Sequence, residues 1–584
     1  MDTGLRVRRG VNSALRPAGH TARQKGKTMA TFKHENACAC EAVDAFGGID
    51  RTGFIGRLSE AWDIDNFRIL CDGSIEKREG YELRCTLSSP VDAVTAVPGD
   101  GGRIYVLSGG QVYIITLSDG TTRLLGRVAD VAGGCFTAVG GETVVIAGGN
   151  IYTVRPSGLF PVDGYVPLYG RDWSESGGQV YQSRNLLSNR VRLSYTLSAP
   201  SVLLETGLDG FSVDSLTVDG SPLDTAYARG GYICLPASFP EGTKIEACIV
   251  FDSDCDDTDA LLSCTGALTF GRDGFDCAVC YGGAANALFC SAAVTAQELA
   301  ASRACRPGSQ AVYFPESGRV DTGLTGAPVS VTGNADALLV SDSVETHLLT
   351  SDGEERVLFG APGAAGAGIC VGDAAYVASG RGLYRFELKS GAYTCLSEPL
   401  DGAVELGAEP VLGYDPRYGE LLISPASDTA GRVAVYSIPR RCWYRFSGVG
   451  AQLWFSCGDT VGFAADAGIF VFVPGRGTDR LLGGSETAIC AVFVSRWSDM
   501  ERSDRVKRLR SLRLCSQGSE AMTLTLSDPA GTLAAITLPA GDGESLDLRR
   551  RSMRTGRFGH VRARLQSRGT GRQRIFGLAL YAVK

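Results

Sequence analysis

The chain reads RIYVLSGGQVYIITLSDGTTRLL over residues 103–125. Two apolar runs, Ile104-Tyr105-Val106-Leu107 and Val112-Tyr113-Ile114-Ile115, flank Gly109-Gly110, and Asp119-Gly120 leads into a third run that ends at Leu125. Short runs of β-branched and aromatic residues broken by Gly-Gly and Asp-Gly predict strands joined by tight turns, because Gly accepts the positive φ such turns demand. The next stretch, CFTAVGGETVVIAGGNIYTV (135–154), repeats the same grammar.

Further units follow downstream. Ala337-Leu338-Leu339-Val340 precedes Thr346-His347-Leu348-Leu349 and Arg356-Val357-Leu358-Phe359. Similar runs occur at 374–395, at 420–446 and at 461–472, with a weaker unit at 268–290. A period of about 40 residues built this way is the mark of a β-propeller, whose blades are small antiparallel sheets. One blade cannot bury both of its faces, so blades stack around a channel. The fold class is therefore all-β, a propeller of six to eight blades. The WD and GH signatures of WD40 repeats are absent from the sequence.

Two stretches leave this rhythm. Residues 171–257 carry strands of alternating polarity at a spacing of about 8–12 residues, which predicts a small β-sandwich inserted into a propeller loop. After Ser495, Arg505-Val506-Lys507-Arg508-Leu509-Arg510 alternates basic with apolar residues, the period of a strand with one positive face. The runs 522–526, 561–565 and 574–581 continue it, and together they predict a separate C-terminal β-sandwich with a basic face. The expected domains begin with a disordered basic leader (1–29) and an N-terminal arm with a hairpin clasp (30–90). The propeller follows in two stretches, 91–170 and 258–486, separated by the inserted sandwich (171–257), and the basic sandwich (487–584) ends the chain.

The arm holds the sequence FGGIDRTGFIGRLSEAWDIDNFRILCDGSIEKREGY, residues 46–81. Asp72-Gly73, between Arg68-Ile69-Leu70 and Ser74-Ile75-Glu76, is a hairpin signal. Lys77, Arg78 and Gly80-Tyr81 form a basic exit. This segment is expected to run along the propeller, with the hairpin closing or docking on it and Arg78 and Tyr81 anchoring assembly.

At 584 residues the chain exceeds one ordinary core, and 44% hydrophobic content describes a globular protein. No window approaches the ~18 apolar residues of a membrane-spanning helix. The first 28 residues hold seven Lys and Arg against one acid and lack an apolar core, so they are not a secretory signal. They read either as a transit-peptide-like leader or, preferably, as sequence upstream of a start at Met29. Of the 19 cysteines most are expected to be reduced and to act as small hydrophobes. Charge is unevenly spread: the whole chain is −7, residues 496–584 carry +10 and residues 1–28 carry +6, leaving −23 on residues 29–495. An acidic body with a basic C-terminal domain points to electrostatic matching, to a partner or to another copy of the chain.

Catalytic patterns are missing. The four histidines, His20, His34, His347 and His560, stand beside neither a Gly-x-Ser-x-Gly elbow nor an HExxH pair. Cys277 and Cys280 have CxxC spacing, but opposite strand parity sends them to opposite faces, and no second pair follows. Residues 252–259, DSDCDDTD, open like a calcium loop yet put Asp257 and Ser263 where an EF-hand needs Gly and Glu, and so read as an acidic linker. No enzymatic activity, cofactor or metal is expected. The basic C-terminal face could meet phosphates, but it lacks interleaved aromatics for reading bases, so a charged subunit interface is the preferred reading.

In Phe46-Gly47-Gly48-Ile49-Asp50, Asn66-Phe67-Arg68-Ile69 and Gly73-Ser74-Ile75-Glu76-Lys77-Arg78-Glu79-Gly80-Tyr81, the chain resembles the N-terminus of tailed-bacteriophage tail and neck proteins, with Glu79 in place of the usual Pro. That group includes tail nozzles of the tail tubular protein B type and DNA-stabilisation hub proteins. Echoes follow in the same order at Val166-Pro167-Leu168, Asn185-Leu186-Leu187-Ser188, Val218-Asp219-Gly220, Tyr313-Phe314-Pro315-Glu316, Trp497, 507–510, Ser527-Asp528 and Gly556-Arg557. The resemblance implies a virion structural protein, made in the host cytoplasm, that forms a ring (commonly a hexamer) as a tail nozzle, hub or head-tail connector component. Its partners would be itself, neighbouring connector, portal-adaptor and tail proteins, and passing double-stranded DNA without sequence specificity. Arg78, Tyr81, Arg505, Lys507, Arg508, Arg510 and Arg557 are the expected assembly residues. A receptor- or glycan-binding propeller is the alternative, and a cellular propeller enzyme or scaffold a second one.

Overall fold

A computed structural model describes residues 39–583 except 131, 174–179, 273–274, 351–353, 403–405, 408, 426–430, 483 and 502. The expected leader therefore lies outside the described residues.

Among the described residues seven antiparallel sheets form a ring. Blades 1 to 6 are the four-stranded units at 91–127, 135–161, 266–321, 330–357, 369–395 and 410–447. Blade 7 takes three strands from 453–472 and its fourth from Tyr81–Thr86. The innermost strands pack in sequence order from Val91–Ala96 to Leu453–Cys457, and the last packs back on the first. The blade number falls within the six to eight expected.

The strands read as unbroken apolar runs because neighbouring blades cover both faces of each. Thus Ile104, Val106 and Ile115 of blade 1 pack with Phe455 and Ile469 of blade 7, while Tyr105, Leu107 and Ile114 pack with Val145 and Val154 of blade 2. Similar apolar layers fill the gaps between blades 3 and 4 and between blades 4 and 5.

The insert leaves the ring between blades 2 and 3. One sheet holds Leu168–Trp173, Arg190–Thr196, Lys244–Phe251 and Phe211–Val218, and the other holds Ser201–Glu205, Tyr232–Phe239 and Tyr227–Arg229. Val191, Leu193, Leu204, Ile233 and Ile245 fill its core. Within blade 3 the connection to the outermost strand contains the helix Ala296–Cys305, closed at its N-terminus by a reciprocal Thr295–Glu298 capping box. Cys248 of the insert and Cys305 of this helix form a disulfide, whereas Cys135, Cys255, Cys264 and Cys280 are buried free thiols.

The C-terminal sandwich is not a separate domain, as the sequence led us to expect. One of its sheets interleaves Arg508–Gly518, Asp547–Ser552 and Gln573–Val583 with Ala39–Val43, Phe67–Ile69 and Ile75–Lys77 from the arm. Its second sheet, Ala491–Ser495, Arg562–Ser567, Met522–Asp528 and Gly531–Leu538, is entered by Ala61–Asp65, which also meets the outer strand of blade 6 at Asp65 and Arg445. Blade 6 and this half of the sandwich therefore share one continuous nine-stranded sheet.

The hairpin forms as expected, with Ile69 opposite Ile75, Gly73 at φ +82° and Asp72 accepting bonds from the Ser74 amide and hydroxyl. Its docking place differs from the expectation. The hairpin adds to the sandwich through Ile75 opposite Ile575, and the strand after it, Tyr81–Thr86, closes the propeller. At the crossing between the two, a Cβ on Gly80 would lie 2.0 Å from the Thr478 carbonyl oxygen. Gly80→Ala is thus expected to cost about 1–3 kcal/mol by overpacking rigid backbone, read as a lower denaturation midpoint.

Candidate functional site

The arm residues that carry the family resemblance converge on the joint between propeller and sandwich. Asn66 turns the chain at φ +57°, a left-handed position that Asn tolerates better than most residues. Its amide nitrogen donates to Ser447 Oγ and the Cys490 carbonyl, both at 2.9 Å, and its oxygen accepts from the Ser447 amide at 3.0 Å and Arg78 Nε at 2.7 Å. The Asn66 side chain is thereby saturated.

Lys77 and Arg78 are adjacent on an extended chain, so they point opposite ways. Lys77 reaches into the sandwich, where Nζ meets both Glu520 carboxylate oxygens at 3.1 Å and the Gly569 carbonyl at 2.6 Å. Burial pushes its pKa down, against the pull of Glu520. Arg78 reaches the other way and binds Asp479 through two parallel bonds of 2.8 and 2.6 Å, with further bonds to the Ser447 and Glu79 carbonyls. Such a fork-to-carboxylate pair is the strongest ordinary ion-pair geometry.

Arg68 completes the set. Its Nε lies 2.5 Å from Glu420 of blade 6, and its guanidinium stacks 3.6 Å over the Tyr418 ring. Burial raises the Glu420 pKa, opposed by Arg68 and by the Tyr444 hydroxyl that also donates to it. Tyr81 packs edge-on against Phe463 and Phe470 and donates to the Gly448 carbonyl at 2.7 Å. Three arm cations thus meet carboxylates in blade 6, in the strand after blade 7 and in the sandwich.

This placement corrects some of the expected assembly set. Arg78, Tyr81 and Lys507 are 2%, 3% and 0% exposed, so their bonds tie the chain to itself and cannot lie at a contact between copies. Lys507 Nζ is held by the Arg505 and Gly559 carbonyls. Arg505 is half-buried, whereas Arg508, Arg510 and Arg557 are exposed. On the same sheet Arg513 lies opposite Arg550, and Arg551 and Arg554 extend the positive surface. The acidic partners Asp479, Glu420 and Glu520 have no signature in the sequence. Each lies hundreds of residues from its cation and carries no local pattern that sets it apart.

His347 is buried in blade 4 with Nδ1 2.5 Å from Glu355. Cys277 is half-buried and Cys280 buried on one strand. In the acidic linker Asp257 pairs with Arg319. Among the described residues no cluster of three or more His, Cys, Asp or Glu is placed to hold a metal ion, and no helix is long and apolar enough to cross a membrane.

No protein-family model and no curated protein matches the chain. Among solved structures it is similar to virginiamycin B lyase from Staphylococcus aureus, at 11% identity and a TM-score of 0.35, over 67% of this chain and 100% of that one. It is similar also to the RRP9 WD40 repeats, at 8% identity and a TM-score of 0.34, over 68% of this chain and 98% of that one. PorZ, a surface component of the type-IX secretion system of Porphyromonas gingivalis, matches at 10% identity and a TM-score of 0.36, over 78% of this chain and 46% of that one.

Proposed function

We propose that the chain is a non-enzymatic structural subunit of a tailed-bacteriophage particle, a ring-forming tail nozzle, hub or head-tail connector component that lines a section of the DNA exit path. The observation that carries this reading is the joint. The arm residues that carry the resemblance, in 46–50, 66–69 and 73–81, bind propeller and sandwich into one body. Phe46 is fully buried against Phe493, Asn66 and Arg78 are saturated with internal bonds, and Tyr81 seals blade 7. Propeller and sandwich so joined suit a part that moves as one rigid body.

The charge asymmetry fits the same role. The positive sandwich face at Arg508, Arg510 and Arg557 suits a neighbouring subunit or connector protein, and an acidic channel wall would repel phosphate and let DNA slide. The rival receptor- or glycan-binding reading calls for tryptophans gathered at a propeller mouth. Trp443 and Trp497 are instead buried, and Trp62 and Trp454 half-buried.

Purified full-length protein is expected to form closed rings, seen by negative-stain imaging and as a discrete oligomer by mass photometry. A chain that stays monomeric at every accessible concentration would overturn the ring reading.

A further inference from the structure

Beside the joint the arm presents a feature that its internal bonding leaves unused. Residues 53–56, Gly-Phe-Ile-Gly, form a finger on which Phe54 is 61% and Ile55 49% exposed. The finger is held rigidly: Arg496 donates to the Ile55 carbonyl at 2.9 Å and ion-pairs with Asp50 and Glu60, and the Gly56 amide donates to the Trp497 carbonyl at 2.8 Å. The Phe54 ring lies 6.4 Å from Trp62 and 6.3 Å from Trp497. Two guanidiniums complete the surface. Arg562 sits 4.3 Å over Trp497 and 5.3 Å from Trp62, and Arg51 sits 4.9 Å over Trp62.

Neither Arg51 nor Arg562 has a carboxylate partner among the described residues, and Arg562 Nε is buried with no hydrogen-bond acceptor. Burial, and then Arg51, push the Arg562 pKa down, as follows when two cations share a site without an anion. Rigid exposed aromatic and aliphatic groups ringed by arginines have the composition of an interface hot spot. The missing component is a carboxylate.

The chain carries the complement on its far side. Asp252, Asp254, Asp256 and Asp259, in the linker that returns from the insert to blade 3, are exposed, and Asp254, Asp256 and Asp259 have no cationic partner among the described residues. The finger is fixed to the ring where the Arg51 amide donates to the Pro399 carbonyl at 2.9 Å, between blades 5 and 6. In a ring of seven blades the boundary of blades 2 and 3 lies close to half a turn away. The two surfaces therefore cannot meet within one copy. Between copies they would make a head-to-tail contact, the kind that repeats into a ring when its rotation closes.

We infer that the Phe54-Ile55 finger, with Arg51 and Arg562, docks on the 252–259 acidic linker of a second copy. This rests on the ring reading above and names its contact. Mass photometry on full-length protein tests it with two exposed-site variants, Phe54→Ala/Ile55→Ser and Asp254→Lys/Asp256→Lys. Each is expected to raise the concentration needed for assembly by at least about tenfold while leaving the denaturation midpoint unchanged. Adding Arg51→Glu to the Asp254→Lys/Asp256→Lys chain is expected to restore a measurable share of the assembly. Rings that form normally in both variants overturn this contact and leave the ring reading standing, whereas a wild-type chain that never assembles removes both.

Discussion

A chain that starts at residue 88 is expected to yield no soluble, protease-resistant protein. The missing arm supplies the fourth strand of blade 7 and four strands of the sandwich. Its buried apolar side chains in the main core include Val43, Phe46, Ile49, Leu58, Ile64, Phe67, Ile69, Ile75 and Tyr81. At about 1.5–3 kcal/mol for each large side chain, their loss exceeds the ~5–15 kcal/mol by which a typical domain is stable. Removal would also leave open edges on Gly468–Phe472 and Gln573–Val583, and unpaired edges invite aggregation. Limited proteolysis and circular dichroism of the soluble fraction check this. A truncated chain that folds cooperatively would mean that the arm decorates the structure and does not build it.

Arg78→Leu is expected to be the most damaging single substitution in the joint, at about 3–5 kcal/mol, because it strands Asp479 as a buried, uncompensated charge. The Asn66 oxygen and the Ser447 carbonyl each lose a donor as well. Replacing both partners, Arg78→Leu with Asp479→Leu, should recover much of that loss, since a buried ion pair contributes little beyond what apolar packing gives at the same place. Urea midpoints of the two single variants and the double variant read the coupling directly. Equal midpoints for wild type and Arg78→Leu would show that the pair holds nothing.

How much of the fold is legible in the sequence follows from the range of the forces involved. The blade rhythm is readable because Gly-Gly and Asp-Gly turns and apolar runs act over a few residues, so each blade announces itself. The hairpin at Asp72-Gly73 is readable for the same reason. Ala61–Asp65 looks instead like a polar acidic stretch, since Asp63 and Asp65 hide a strand whose partners are Ala491–Ser495 and Arg445. Blade 7 looks one strand short in its own stretch of sequence, and nothing local points to Tyr81–Thr86 as the strand that completes it. Arg78 and Tyr81 are anchors, as their setting suggests, but at a boundary inside the chain and not between copies. A basic residue beside a glycine turn looks the same whether it faces water or a buried carboxylate.

By itself, then, the sequence determined an all-β propeller with two accessory sandwiches, an acidic body and a basic C-terminal face. Turn chemistry, strand period and composition are properties of the chain at short range or as a whole. The tertiary structure alone decided that the arm is woven through both bodies and that Lys77 and Arg78 grip different ones. Those outcomes depend on partners such as Asp479 and Glu520, which lie 401 and 443 residues away. Strand and ion pairing at such separation is chosen by which surfaces the finished fold brings together, and no local pattern encodes it.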